Sequence, residues 1–109
     1  MTEQGAPALR ILLACALGMS TSILVARMQE EAARQGKSHR IWAADQSTIE
    51  AQLGEFDVVL LGPQVKHLLK KVKGIVGEAA PVDVIDARAY GRGQVAAVLH
   101  QAEQLMRKD

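Results

Sequence analysis

A single cysteine and the short polar run that follows it could together do chemistry on a phosphate. Cys15 ends an apolar stretch, Gly18 follows three residues later, and the hydroxyls of Ser20, Thr21 and Ser22 come next. A loop that leads into a helix presents backbone N–H groups without intrahelical partners, and the helix dipole adds positive potential. Both effects favour a bound phosphate and favour the thiolate over the thiol. The pattern predicts a thiolate nucleophile that carries a phosphoryl group among backbone N–H donors.

Other interpretations of Cys15 stay open at this point. A lone cysteine is often a small buried core residue. A small cysteine-dependent phosphatase is the nearest enzymatic alternative, and a non-catalytic phosphate-sensing regulatory module is another. Phosphatases resembling the low-molecular-weight tyrosine phosphatases have Arg six residues after the cysteine, where this chain has Thr21, and the sequence holds no Asp-Pro pair. Without a guanidinium to grip the phosphate, the loop favours relay of the phosphoryl group over its hydrolysis.

Strand and helix patterns alternate along the chain and must position this loop. The predicted strands are 9–15, 38–44, 56–61 and 82–85. A first helix with apolar residues at helical spacing ends at Gly36, and a short helix follows, capped by Asp45 or Ser47. A third helix begins at Pro63, and the last helix has an apolar stripe from Val95 to Met106. The segment between the fourth strand and the last helix is expected to be a loop.

This order predicts an α/β fold with one open four-stranded parallel sheet, flanked by helices on both faces and joined by right-handed crossovers. Residues 1–8 are expected to be a flexible N-terminal tail, and residues 9–108 a single domain. In such sheets, ligands bind at the carboxyl ends of the strands beside a topological switch point. Those ends lie at Cys15, 44–45, 61–62 and Asp86.

Composition excludes several classes of protein. The chain has 109 residues, a formal net charge of +1 and 49% hydrophobic residues. That apolar share is too high for intrinsic disorder, and the balanced charge argues against a nucleic-acid binder. The longest apolar run, 11–17, is far shorter than the roughly 20 residues of a membrane-spanning helix. We therefore expect a cytoplasmic protein with a reduced thiol. The three histidines share no metal-ligand spacing, so neither a metal nor a cofactor is expected.

Two residues after the third strand are candidates for the same site. Pro63 and Gln64 form either a second wall of the phosphate site or a docking face; the alternative is an N1 proline with an exposed neighbour. Asp86 is read as a helix cap or turn residue, and Trp42 as core packing. His39 and His100 are expected at the surface.

A basic segment follows on the third helix. It contains four lysines and a histidine: Lys66, His67, Lys70, Lys71 and Lys73. Such a run is typical of a solvated helix face, and docking to an acidic partner surface is the alternative. Nothing around His67 forms a phosphate loop, which argues against a phosphohistidine there.

Three stretches of the sequence resemble the IIB components of the sugar phosphotransferase system, of the lactose/chitobiose (cellobiose) type. They are Ile-Leu-Leu-Ala-Cys-Ala-Leu-Gly-Met-Ser-Thr-Ser at 11–22, Val-Leu-Leu-Gly-Pro-Gln-Val at 59–65, and, more weakly, Val-Ile-Asp-Ala-Arg-Ala-Tyr-Gly at 84–91. The second stretch includes Pro63 and Gln64. The resemblance runs from about residue 9 to residue 106.

The resemblance implies a cytoplasmic phosphocarrier. Such proteins accept a phosphoryl group from a histidine of the IIA component and pass it to a sugar bound by the membrane IIC permease. Cys15 would be the phosphorylated residue. A P-loop-like phosphocysteine loop would follow it, made of Ala16, Leu17, Gly18, Met19, Ser20, Thr21 and Ser22.

Overall fold

The chain folds around a sheet of parallel strands. The computed structural model describes residues 8–15 and 19–107, with only the backbone of residues 19–21 and 107. Within these residues the sheet has four strands: β1 (Arg10–Cys15), β2 (Arg40–Asp45), β3 (Val58–Leu61) and β4 (Val82–Val84). They lie side by side in the order β2–β1–β3–β4. The central strand β1 pairs with β2 on one side and with β3 on the other. The predicted α/β class, strand order along the chain and parallel pairing are confirmed.

The described ranges contain four α-helices, between and after the strands: α1 (Met19–Arg34), α2 (Leu69–Val76), α3 (Ala87–Gly91) and α4 (Val95–Arg107). Short 3₁₀ turns occupy Gln46–Thr48, Glu50–Gln52 and Pro63–Leu68. No helix in the described part of the chain is both long enough and apolar enough to span a membrane. Residues 1–7 of the predicted tail and residue 108 of the predicted domain lie outside the described residues.

The core has two layers, one on each face of the sheet, because successive side chains of a strand point to opposite faces. Ile11 and Leu13 of β1 pack with α1 and α4. Leu12 and Ala14 pack with α2 on the other face. Since both faces are covered, β1 is an almost continuous apolar run, as buried parallel strands usually are.

Helix α1 ends where the sequence predicts. Gly36 has a φ of 76°, a left-handed conformation that residues with a side chain rarely adopt. The backbone N–H of Lys37 donates to the Ala32 carbonyl, and that of Gly36 donates to the Ala33 carbonyl. The last carbonyls of α1 are thereby satisfied as the chain turns towards β2.

Two predicted features after the third strand are wrong in detail. The helix expected from Pro63 begins as a 3₁₀ turn, and its regular α-helical part starts only at Leu69. Val65 leaves the helical conformation (φ −116°, ψ 25°) and is buried in the α2 layer. The predicted loop after the fourth strand contains helix α3, whose first turn is capped because Asp86 accepts a hydrogen bond from the Ala89 N–H. The cap interpretation of Asp86 is confirmed.

The prediction that His39 lies at the surface is also wrong, because its side chain is only 1% exposed. Its Nδ1 accepts a hydrogen bond from the Leu9 N–H at 3.0 Å, and its Nε2 lies 3.0 Å from Glu103 Oε2. Nδ1 accepts, so the ring proton is on Nε2 and is donated to the carboxylate. Lys37 Nζ reaches the same oxygen at 2.6 Å. This cluster joins α4 to the amino edge of the sheet, where the strands begin.

A second ion pair at the amino edge joins the starts of β1 and β3. The Arg10 guanidinium lies 3.0 Å from Asp57 Oδ1, and the Arg10 N–H donates to Asp57 Oδ2 at 2.8 Å. The hydrogen bond from the Arg10 side chain lowers the pKa of Asp57 below its ordinary value. Burial alone would raise the pKa of Glu103, but hydrogen bonds from Lys37 and His39 outweigh it and lower that pKa.

Candidate functional site

Cys15 lies at the topological switch point of the sheet. The chain leaves β1 through α1 and returns as β2 on one side, whereas it leaves β3 through α2 and returns as β4 on the other. Because α1 and α2 pack on opposite faces, the connections diverge and leave a crevice between the carboxyl ends of β1 and β3. Cys15 is the last residue of β1 and is 3% exposed. The sequence predicts a site at the carboxyl ends of the strands, and the order of the strands in the sheet identifies the crevice that Cys15 faces.

Helix α1 begins four residues after Cys15, at Met19. Its first N–H groups have no intrahelical acceptor, and its dipole is positive at this end. Ala16, Leu17 and Gly18 of the predicted phosphate loop lie outside the described residues, as do the side chains of Met19, Ser20 and Thr21. The Ser22 side chain is exposed.

The second wall of the crevice is the turn after β3. The Gly62 N–H donates to the Ala14 carbonyl at 2.9 Å, which fixes this turn against the end of β1. A Cβ atom at Gly62 would lie 3.6 Å from Cys15 Cβ and only 2.2 Å from Gln64 Oε1. Only glycine therefore leaves room for the Gln64 amide beside the cysteine. Pro63 opens the 3₁₀ turn that directs Gln64 back over Gly62.

Tyr90 closes the crevice from the β4 side, and the sequence did not single it out. Gln64 Nε2 donates to the Tyr90 hydroxyl oxygen at 3.0 Å. Tyr90 is half-buried on α3, which Asp86 caps. The sequence did hold one signal for Tyr90: it follows the fourth strand and so belongs to the same edge of the sheet as Cys15. The predicted loop in this segment concealed that signal, because a side chain on a loop has no defined direction.

The carboxylates at this edge act as caps for local turns. Asp45 is the register partner of Cys15 on β2. Its side chain accepts hydrogen bonds from both the backbone N–H and the hydroxyl of Ser47. Asp86 accepts from the Ala89 N–H at 2.9 Å. No group of three or more His, Cys, Asp or Glu side chains among residues 8–15 and 19–107 is arranged to hold a metal ion.

The basic segment lies outside the crevice, on the turn and helix that follow Gln64. All five of its members are exposed: Lys66, His67, Lys70, Lys71 and Lys73. None of the four lysines forms an ion pair with another side chain in the described part of the chain. The segment thus presents uncompensated positive charge next to the second wall.

A buried thiol at a switch-point crevice, four residues before the start of a helix, is a geometry suited to phosphoryl transfer. The family model described as "PTS system, Lactose/Cellobiose specific IIB subunit" matches residues 10–101. The chain belongs to this IIB family. It is a phosphocarrier subunit of a sugar phosphotransferase, as the resemblance implied.

Curated relatives of the IIB protein agree with this assignment. It is 43% identical over 106 residues to the galactose-specific EIIB component of Lactococcus lactis subsp. cremoris, a match that covers 88% of this chain and 94% of the relative. It is 39% identical over 98 residues to the oligo-beta-mannoside-specific EIIB component of Bacillus subtilis, covering 89% and 95%. The names of the two relatives specify different sugars but the same component, EIIB.

Solved structures share its fold. The cellobiose-specific IIB component of Borrelia burgdorferi superposes with a TM-score of 0.77 at 32% identity, covering 94% of this chain and 95% of that one. The lactose-specific IIB domain of Streptococcus pneumoniae gives a TM-score of 0.80 at 16% identity, covering 90% and 97%. The second likeness supports the fold alone, whereas the first also reflects sequence kinship.

Proposed function

We propose that Cys15 is the residue of this IIB protein that carries the phosphoryl group. It accepts the group from a phosphohistidine of a cytoplasmic IIA partner and passes it to a sugar bound by a membrane IIC permease. The observation that carries the proposal is the place of Cys15, buried at the switch point and four residues before the first turn of α1.

Two displacements at phosphorus make up the proposed relay. In the first, Cys15 Sγ attacks, the S–P bond forms and the N–P bond of the phosphohistidine breaks, so its electron pair returns to the imidazole nitrogen. The proton that the thiol gives up is balanced by the one that the freed imidazole accepts. In the second, a sugar hydroxyl oxygen attacks, its O–P bond forms and the S–P bond breaks. The sulfur leaves as a thiolate, and the proton that the hydroxyl gives up restores the thiol.

The residues around Cys15 have different roles in holding the phosphoryl group. The loop from Ala16 to Ser22 and the start of α1 supply backbone N–H donors for the phosphoryl oxygens. Pro63 and Gln64 form the second wall, which lies over Gly62 beside the cysteine. The absence of an arginine at position 21 suits a carrier, because a tightly held and activated phosphate would be lost to water more readily.

Intact-protein mass after incubation with a complete phosphorelay tests the proposal. The wild-type chain should gain one phosphoryl group, and Cys15→Ser, which keeps the size of the side chain, should gain none. His67→Gln is the matched control, because it removes an exposed imidazole of the basic segment, and it should be phosphorylated like wild type. Phosphorylation of Cys15→Ser, or none of the wild type by a competent donor, would contradict the proposal.

Transfer to a sugar needs a second assay, with membranes that contain a IIC permease of the same family. Phosphorylated wild-type protein should lose its phosphoryl group to a sugar only when both the permease and its sugar are present. Rapid release of inorganic phosphate by the protein alone would instead support the phosphatase alternative. A panel of galactosides, cellobiose and oligo-β-mannosides covers the sugars that appear in the names of the relatives.

A further inference from the structure

An open cleft of about 240 Å³ lies between α1 and the turn after α3. Two arginines line it, Arg27 from α1 and Arg92 from the turn, together with Ile23 and Tyr90. Tyr90 also borders the crevice, so this arginine cleft lies beside it. Cys15 itself does not line the cleft. The two guanidinium groups are therefore close to the site of the proposed transfer without belonging to it.

The turn after α3 shapes the arginine cleft. The Gly93 N–H donates to the Tyr90 carbonyl at 3.2 Å, which closes the turn that carries Arg92. Gly93 has a φ of 63°, a left-handed conformation that residues with a side chain rarely adopt. A Cβ atom on it would also lie only 3.0 Å from Arg27 Nη1. Glycine at this position thus lets the Arg27 guanidinium rest against the turn.

Both guanidinium groups of the cleft lack a counter-charge. Their side chains are exposed, and neither forms an ion pair with another residue in the part of the chain that the structure describes. Glu31, one turn after Arg27 on α1, is paired with Arg34 instead. Asp86 caps α3. Since a guanidinium group binds carboxylates in a bidentate manner, the cleft can accept acidic side chains from another molecule.

An exposed apolar side chain accompanies these charges. Ile23 precedes Arg27 by one helical turn, so the two residues are neighbours on the surface of α1. Ile23 is 59% exposed, the highest value of any large apolar side chain in the described ranges. Protein interfaces are enriched in arginine and depleted in lysine, and large side chains near their centres supply most of the binding energy. The cleft therefore resembles a protein interface in composition.

Charge favours one of the two partners in the proposed function. Both IIA and the IIC permease must reach Cys15. The cytoplasmic loops of membrane proteins carry an excess of Lys and Arg, so the face that IIC presents to this chain is expected to be basic. Like charges across an interface are unfavourable. A cleft with two unpaired arginines thus fits an acidic surface of IIA better than the permease.

We propose that the arginine cleft docks IIA, with Arg27 and Arg92 bound to acidic side chains of that partner and Ile23 as the apolar anchor. The inference rests on the proposed function, in which IIA donates the phosphoryl group to Cys15. The two arginines bind the partner and do not touch the phosphoryl group. They speed the encounter with IIA and are dispensable once the phosphoryl group has been received.

The rate of phosphoryl transfer from a phosphorylated IIA of the family, measured at low salt over a range of IIA concentrations, tests the inference. Arg27→Gln and Arg92→Gln should each raise the KM for IIA about three- to fivefold, the effect of one lost ion pair at an interface. The double variant should raise it by at least about tenfold, and kcat should stay at the wild-type value. These differences should shrink at high salt, because salt screens exposed charges.

Arg88→Gln is the matched control. Arg88 is an exposed arginine on the same short helix as Tyr90, but it does not line the cleft. Its replacement should leave the KM for IIA at the wild-type value. A second readout is the transfer from the phosphorylated proteins to a sugar in membranes that contain IIC. All variants should donate at the wild-type rate there, which a general defect in folding would not allow.

The other outcomes would overturn the inference. An unchanged KM in the double variant would do so, as would an equal rise in Arg88→Gln. Slower donation to the sugar would assign the cleft to the permease or the membrane surface. A lower kcat with an unchanged KM would show that the arginines act on the phosphoryl group itself. If the wild-type protein accepts no phosphoryl group, the proposed function of Cys15 fails instead.

Discussion

The two edges of the sheet are built from different interactions. At the amino edge, ion pairs and a buried histidine hold the strand starts together: Arg10 with Asp57, and Glu103 with Lys37 and His39. At the carboxyl edge, the contacts include a neutral amide–phenol hydrogen bond and carboxylates that cap their own turns. In the part of the chain that the structure describes, the ion pairs of Asp57 and Glu103 thus lie at the edge opposite Cys15.

This separation has a physical reason. A structural cation beside Cys15 would bind the phosphoryl group too strongly for release, and an unengaged carboxylate would repel it. Backbone N–H groups and a helix dipole provide moderate positive potential without mobile charge. The comparison predicts that substitutions at the carboxyl edge lower the rate of phosphoryl transfer and leave the free energy of unfolding nearly unchanged. Substitutions at the amino edge should lower the free energy of unfolding and leave the transfer rate nearly unchanged.

Gly62→Ala should have the largest effect at the carboxyl edge. Its Cβ would lie 2.2 Å from Gln64 Oε1, so the amide must swing away from the crevice. We expect transfer from IIA to slow by at least about tenfold, because a displaced wall beside Cys15 misplaces the reacting groups, and small displacements are costly in the transition state. Stability to urea should change by less than about 1 kcal/mol, since the atom displaced is the end of a flexible side chain.

Gly74→Ala is the matched control for that substitution. A Cβ at Gly74, inside α2, meets nothing within 4 Å. It should raise the free energy of unfolding by about 0.5–1 kcal/mol through helix propensity and leave transfer unchanged. Equal transfer rates in Gly62→Ala and Gly74→Ala would contradict the role given to the second wall.

Glu103→Gln should have the largest effect at the amino edge. It keeps the size of the side chain and removes the charge that Lys37 and His39 share. We expect a loss of about 1–3 kcal/mol in the free energy of unfolding, the usual cost of hydrogen bonds to a charged group. Glu78→Gln, in the exposed turn after α2, should change stability little. A slower phosphoryl transfer in a folded Glu103→Gln variant would contradict the prediction that the amino edge affects stability alone.

Lowering the pH should destabilise the protein by protonating two carboxylates at the amino edge. The pKa values of Asp57 and Glu103 are lowered from their ordinary values of 3.8 and 4.5, so both groups stabilise the fold when ionised. Their contribution is complete above those ordinary values and is lost as pH falls through the lowered values of the folded state. Urea unfolding between pH 7 and pH 3 should show this decline, with a shallower slope in Glu103→Gln. Identical slopes would contradict the assignment.

The basic segment should give the smallest effect. If it docks on an acidic partner surface, Lys70→Gln and Lys71→Gln should each slow transfer from IIA about two- to fivefold at low salt and reduce its salt dependence. Arg34→Gln, an exposed charge at the end of α1, should not. Stability should stay within about 0.5 kcal/mol of wild type in all three. Unchanged rates would assign the lysines to a solvated face.

Local signals account for the features that the sequence predicted. The apolar run to Cys15, the left-handed Gly36 and the proline opening the turn at position 63 each depend on neighbours close in sequence. The parallel α/β class followed from these elements together with general rules of parallel sheets, whereas the order of the strands in the sheet, and hence the crevice that Cys15 faces, came from the structure. The likeness to the IIB family then supplied the role of the cysteine.

Long-range pairs account for what the sequence missed. His39 is buried because Leu9 and Glu103, which are 30 and 64 residues away, satisfy both ring nitrogens. Gln64 is directed by Tyr90, which no local pattern links to it. Composition and periodicity describe a residue's own element, so contacts between side chains of different elements are invisible to them until the elements are packed.

The site of phosphorylation is the most direct test of the whole account. The protein is phosphorylated by a complete relay, digested at neutral pH and analysed by tandem mass spectrometry. We predict the phosphoryl group on the peptide that contains Cys15, with none on the peptides that contain His67 or His100. A phosphoryl group on either histidine, with an unmodified Cys15, would contradict the account.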